Sequence, residues 1–178
     1  MTGCSSGNEA YTGQALSIGD NGPGGGHVFY VSAEKFTSVG SDCGVNCRYL
    51  EFAPQEIGNS YDEGYEWCSE NNVLLGTTRE IGSGMNNTII ANKVCTSGAI
   101  KIAADYSNNG KSDWFLPSAD EAELLGYELD FREVLGWSYW TSSETYEGYA
   151  NCFDYSGHFC SRGFPKDRGI AVLPIRAF

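Results

Sequence analysis

The chain is short of everything that would neutralise acid: its 178 residues carry 11 Lys and Arg and two His against 23 Asp and Glu, a formal net charge of -12. Polyanions such as nucleic acid, heparin-like chains and anionic membranes are therefore disfavoured partners, because each needs basic clusters that this sequence does not form. With His27 and His158 the only imidazoles and neither in a recognisable nucleophile motif, both read as turn or strand residues rather than as a general base. No run approaches the roughly 18 apolar residues of a membrane-spanning helix, so direct membrane insertion is not expected. The glycine-rich stretch Gly19–Gly26 lacks the GxxxxGK[ST] pattern and the strand-before, helix-after context of a phosphate loop.

What the chain does have is 23 Gly, seven Cys, 11 Tyr and four Trp. The rings and glycines predict a loop-rich fold whose core is anchored by aromatics rather than by long helical arrays. One domain accommodates the length. Residues 1–17 are small and polar without apolar period and read as a flexible leader, with the domain spanning 18–178.

Seven cysteines in a chain of this size point to an oxidising, extracytoplasmic compartment, and hence to a secreted or cell-surface protein or a virion-associated one. Six fall into local couples: Cys43 with Cys47, Cys68 with Cys95, and Cys152 with Cys160. Sequence alone leaves the connectivity open, and short separations make this pairing the economical expectation. Zinc is the weaker reading, since no paired C-x-x-C units accompany the two histidines. Cys4, in Met1–Gly7, resembles the cleavage end of a bacterial lipoprotein signal and is a candidate lipid anchor; a free cysteine in a disordered terminus explains the same letters.

The clearest local signal is Asp113-Trp114-Phe115-Leu116-Pro117-Ser118-Ala119-Asp120-Glu121. Pro117 ends what precedes it, and Ser118 and Glu121 have the spacing of a reciprocal capping box, so a helix is predicted to start there, with Leu124, Leu125 and Leu129 facing inward. A second helix is predicted over 87–105 from the recurrence of Ile90, Val94, Cys95, Ala99, Ile102 and Ala103, with Gly98 in its interior. Strands are expected at His27–Val31, Arg48–Phe52, 135–144, 149–155 and 169–178, the third and fourth forming a hairpin across Thr145–Gly148. Residues 55–84 read as a long irregular excursion with one helical turn near 63–67. Asp105, Ser107, Asn109, Gly110 and Asp113 fall at EF-hand positions, but Leu116 stands where the bidentate carboxylate belongs, so an Asn-Asn-Gly turn is expected instead of calcium.

Several motifs in order carry a family likeness: Ile18–Val31, Arg48-Tyr49-Leu50-Glu51, Trp67-Cys68, Lys111–Ser118, Tyr139-Trp140-Thr141-Ser142-Ser143-Glu144 and Pro174–Phe178. Together they resemble the bacterial domain of unknown function typified by the C-terminal domain of Legionella collagen-like adhesin. The resemblance implies a C-type lectin-like α+β fold: two main helices on small antiparallel sheets, long irregular loops, and N- and C-terminal strands paired, here Val28–Val31 with Val172–Ala177. That fold is shared with formylglycine-generating enzymes and diversified binding proteins, so it implies function only loosely. The chain has neither Glu-Pro-Asn nor Trp-Asn-Asp, the calcium-dependent sugar motifs of such lectins, and its acidity argues against the adhesin's preference for sulfated polysaccharide. A formylglycine-type oxidase would need a reactive cysteine pair, for which Cys152 and Cys160 are the nearby candidates; a structural disulfide is the expectation.

With no catalytic constellation, no cofactor and no metal site expected, the leading expectation is a non-enzymatic binding or adhesion module for a protein or glycan ligand. An accessory structural subunit of a cell-surface or virion assembly is the alternative, and an oxidase the remote one. Oligomeric state is left open. The candidate ligand face is the aromatic run Tyr146, Tyr149, Phe153, Tyr155, His158 and Phe159, held by a Cys152–Cys160 staple; its structural alternative is ring padding beneath the 55–84 excursion.

Overall fold

In a computed structural model, which describes residues 15–58, 64–128, 138–154, 160 and 163–178, the chain is a small α+β domain with three helices and two three-stranded antiparallel sheets among those residues. Strands β1 (His27–Phe36) and β2 (Cys47–Phe52) precede helices α1 (Gly84–Asn92), α2 (Ala99–Asp105) and α3 (Ala119–Glu128); β3 (Ser138–Tyr146), β4 (Tyr149–Asp154), β5 (Phe164–Pro165) and β6 (Ile175–Ala177) follow. One sheet has the order β1-β2-β6 and the other β3-β4-β5. The leader residues 1–14, Cys4 among them, lie outside the described residues, as do Leu129, Trp137, Tyr155, His158 and Phe159.

The expected pairing of the first and last strands is corrected. The terminal strand β6 pairs with β2, Leu50 opposite Ala177 and Phe52 opposite Ile175, and β2 separates it from β1. The reason lies in charge: β2 carries Glu51 directly opposite Arg176, both fully buried or nearly so, with Nη1 of Arg176 3.2 Å from the carboxylate. A buried guanidinium requires an acceptor at close range. The main-chain carbonyl of Phe178 also accepts from the amides of Arg48 and Tyr49, which ties the end of β6 to the start of β2.

The long helix predicted over 87–105 is two helices. Gly98 sits at φ 91° as the N-cap of α2, a conformation costly for any residue with a Cβ, and it breaks the run between Asn92 and Ala99. The buried face also differs from the apolar stripe. In α1 it is Gly84, Asn87, Thr88 and Ala91, spaced i, i+3, i+4, i+7, and Val94 beyond it is exposed, whereas Cys95, Ala99 and Ala103 are buried as the stripe expects. Neither Tyr65 nor Trp67 lies in the helical turn expected near 63–67; Tyr65 instead bridges to Ile170.

Helix α3 begins as its capping box requires. The Ser118 amide donates to Glu121 Oε2 at 2.7 Å and the Glu121 amide to Ser118 Oγ at 3.3 Å. Ala122 and Leu125 face the core, with Leu124 at its margin. Between α2 and α3, Asn109 and Gly110 both take positive φ, and Asn108 and Lys111 exchange amide-to-carbonyl bonds across them: a two-residue turn occupies the calcium-like letters.

The core is built on rings. Trp67, Trp114, Trp140, Tyr139, Phe29, Phe115 and Phe153 are all essentially inaccessible. Three disulfides close Cys43–Cys47, Cys68–Cys95 and Cys152–Cys160, with Cα separations of 5.0, 5.0 and 5.3 Å, the pairing expected from the spacings. They fit an extracytoplasmic protein, and among the described residues no helix is long and apolar enough to cross a membrane.

Candidate functional site

Two buried charge networks account for most of the buried charged groups among the described residues. In the first, the glycine-rich turn wraps a carboxylate belonging to the chain itself. The Gly24 amide donates to both oxygens of Glu51 at 2.9 and 3.2 Å, and the Gly26 amide to Oε2 at 3.1 Å. The glycines are needed for closeness as much as for turning: a Cβ on Gly24 would stand 2.6 Å from the Trp114 ring and 2.8 Å from Glu51 Oε1. Arg176 then joins Glu51 to Asp113, through Nε, and to Asp42 at 3.4 Å. The turn is thus an anion cradle that already holds an anion, and a ligand phosphate has no place there.

The second network centres on Lys166, whose ammonium is fully buried. It donates to Glu144 Oε1 at 2.6 Å and to the Val73 carbonyl at 2.9 Å, and lies 4.4 Å from the centroid of Trp67. Two oxygen acceptors and one ring face thus surround its charge. Glu144 in turn accepts the amides of Leu75 and Thr77 and the Thr77 hydroxyl, at 2.9–3.3 Å, and so pins the irregular 73–77 segment to the end of β3.

The rest of the Tyr139–Glu144 motif works in the same way. Trp140 Nε1 donates to the Tyr65 carbonyl at 2.7 Å, Thr141 Oγ1 to the Asn151 carbonyl at 3.0 Å, and Ser143 Oγ to the Thr78 carbonyl at 2.7 Å. Tyr139 donates its phenol to Glu56. Asn87 from α1 pairs with both backbone groups of Thr78, accepting its amide at 2.9 Å and donating to its carbonyl at 2.6 Å, as a strand partner would. Burial pushes the Glu121 carboxyl up to about 7, against the opposing hydrogen bonds from the backbone of Ser118 and Gly82. It touches Ser118, Gly82 and Gly84 at a junction of loops, and its oxygens are occupied by amides.

The candidate aromatic face divides. Phe153 is core: it is 1% exposed and stacks on Tyr139 at 5.2 Å, because it sits opposite that residue on the inner face of the β3–β4 ladder. Its assignment to a ligand surface is corrected on that ground. Tyr146 and Tyr149 remain at the surface, facing one another across the two-residue turn Glu147-Gly148, with their rings stacked at 4.5 Å and Tyr146 49% exposed. Gly148 takes φ 78°, as the tight hairpin demands. Tyr155, His158 and Phe159 fall outside the described residues, although the Cys152–Cys160 bridge that spans them is present. His27 opens β1 as an exposed strand residue, its ring 5.5 Å from that of Phe52.

A neighbour of this tip went unread in the sequence. Residues 71–75 run beside the hairpin: a Cβ on Gly148 would come 3.9 Å from Asn72 Oδ1 and 4.0 Å from the Asn71 carbonyl, and Lys166 bonds both the Val73 carbonyl and, by its amide, that of Gly148. Val73 and Leu74, 41% and 58% exposed, lie between these anchors. Two adjacent exposed aliphatics in a polar loop were the available signal, and single exposed apolar residues are too common to be read as a site. Among the described residues no group of three or more His, Cys, Asp and Glu could hold a metal ion.

Compared with known proteins, the chain matches no family model. No curated protein matches it either.

Proposed function

We propose that the protein is a non-enzymatic, extracytoplasmic binding or adhesion module on a C-type lectin-like scaffold, which presents the loop-rich aromatic end of its β3–β4 hairpin to a protein or glycan ligand. One observation carries the reading. Among the described residues Tyr146 is the most exposed of the large rings, at 49%, and it stacks on Tyr149 at the tip of a hairpin that is anchored from below by Glu144, Lys166 and a disulfide. Rigid aromatic area at a surface is what binding faces use, since it contributes contact at little entropic cost.

The test is a protein and glycan array probed with the disulfide-intact chain and with Tyr146→Ala. A ligand that is retained by the parent chain and lost by the variant, at an unchanged melting temperature, supports the reading. Ligands bound equally by both place the binding face elsewhere.

A further inference from the structure

Within the reading of this tip as a binding face, the surrounding charge points to one class of partner. The hairpin 138–154 and the adjoining segment 69–78 contain no lysine or arginine. Their charged residues are Glu70, Glu144, Glu147 and Asp154. Glu144 is neutralised below the surface by Lys166, while Glu147, in the turn itself, and Glu70, next to Asn71 in sequence, are exposed; the exposed Asp167 and Arg168 that follow β5 carry one charge of each sign. Glu66 adds a further carboxylate next to Asn71, whose Nδ2 donates to it at 3.3 Å. The tip therefore joins two stacked phenol rings, the exposed Val73 and Leu74, and carboxylates of one sign, in a chain whose net charge of -12 reinforces the same field.

We propose that this tip docks a cationic segment of a partner protein. Arginine or lysine side chains would lie over the Tyr146 and Tyr149 rings, their charge met by Glu147 and Glu70 and their methylene stems by Val73 and Leu74. The chemistry of the two halves matches: a guanidinium stacks on an aromatic face, pairs with carboxylates through its fork of donors, and covers apolar surface with its stem. A neutral glycan would use the rings and offer hydroxyl donors to the carboxylates but no opposite charge, and a sulfated one would be repelled by them.

The experiment is an amide NMR titration of the full oxidised chain with a hexa-arginine peptide, and separately with neutral maltohexaose, repeated on Tyr146→Ala and Glu147→Gln. The expected result is saturable shifts from the peptide at residues 71–75 and 144–149, with the dissociation constant raised about fivefold or more by Tyr146→Ala and by a smaller factor by Glu147→Gln. Melting temperatures should match the parent's. Peptide shifts spread over the acidic surface and unchanged in Tyr146→Ala would overturn the inference. Shifts at the tip from maltohexaose but not from the peptide would overturn it while leaving the tip a binding face, and a tip that answers neither probe would remove both.

Discussion

Replacing Lys166 by Met tests whether the buried ion pair or the packing around it holds the 73–77 segment in place. The side chains of Lys166 and Glu144 are 0% and 1% exposed, and their charged atoms are 2.6 Å apart. Methionine keeps the volume and removes the charge, which leaves Glu144 buried among amide donors without its cation. Breaking one half of a buried pair costs about 3–5 kcal/mol, mainly because the remaining charge is stranded. For a chain of this length each kcal/mol corresponds to about 2–4 °C, so the melting temperature should fall by about 6–20 °C. The second arm is Lys166→Met combined with Glu144→Gln. The amide oxygen can still accept from Leu75 and Thr77 but carries no charge to strand, so the double variant should recover at least about 1.5 kcal/mol over the sum of the single changes. Denaturant unfolding with the disulfides intact gives the energies. Hydrogen exchange at the Leu75 and Thr77 amides shows whether the loss is local, since both donate to Glu144. A Lys166→Met cost below about 1 kcal/mol, or simple additivity in the double variant, would refute the assignment.

Two further outcomes follow from buried groups. Because burial raises the Glu121 carboxyl from 4.5 to about 7, the folded chain binds that proton more readily than the unfolded one; the resulting stability is fully present below about pH 4.5 and is lost as pH rises through about 7. The stability difference between the parent and Glu121→Gln should accordingly shift in the parent's favour on acidification from pH 7.5 to 4.5, by on the order of 3 kcal/mol, and a pH-independent difference in urea titrations would contradict the burial argument. At the glycine turn, a Cβ on Gly26 would fall on the Phe52 carbonyl oxygen, whereas one on Gly44 meets nothing within 4 Å and faces only the penalty of its positive φ. Gly26→Ala should cost about 2–3 kcal/mol and Gly44→Ala about 1, and equal costs in thermal unfolding would rule out the close-approach explanation.

Local signals were legible and distant polar ones were not. Ser118 and Glu121 announce their helix because both partners of the cap lie within one turn, and the three disulfides join the neighbours that their spacings suggested. The hairpin expected across Thr145–Gly148 is present, with β3 running two residues further than expected, to Tyr146. Helix α1 was misplaced because its buried face includes Asn87 and Thr88, which an apolar periodicity cannot register; Asn87 is buried where the backbone of Thr78 and the hydroxyl of Ser142 offer it partners. The break at Gly98 was read as a tolerated cost rather than as a required positive φ, since both leave the same letter in the sequence. The placement of β6 depended on Arg176 meeting Glu51, 125 positions away, and on Asp113 and Asp42 sharing the same guanidinium. Nothing in the local pattern of either strand encodes that.

The motifs on which the proposed resemblance rests are the parts that these networks consume. Gly24 and Gly26 hold Glu51, which meets Arg176, which meets Asp113: four of the likeness segments close on one buried charge cluster. Trp67 and the Tyr139–Glu144 segment close on the other, through Lys166 and the carbonyls of Tyr65, Thr78 and Asn151. Polar residues engaged in this way inside the domain are not free to contact a ligand, so the part of the likeness that they form reports on scaffold and is silent on what is bound. The stacked tyrosines and the Asn71–Leu74 segment stand outside the likeness and, apart from the Val73 carbonyl, outside both clusters; that carbonyl's bond to Lys166 and the bond from the Asn71 amide to Glu66 hold the segment in place. If the tip is the binding face proposed above, a chain sharing every one of these motifs but differing at 71–74 and 145–149 would keep the fold and change its partner.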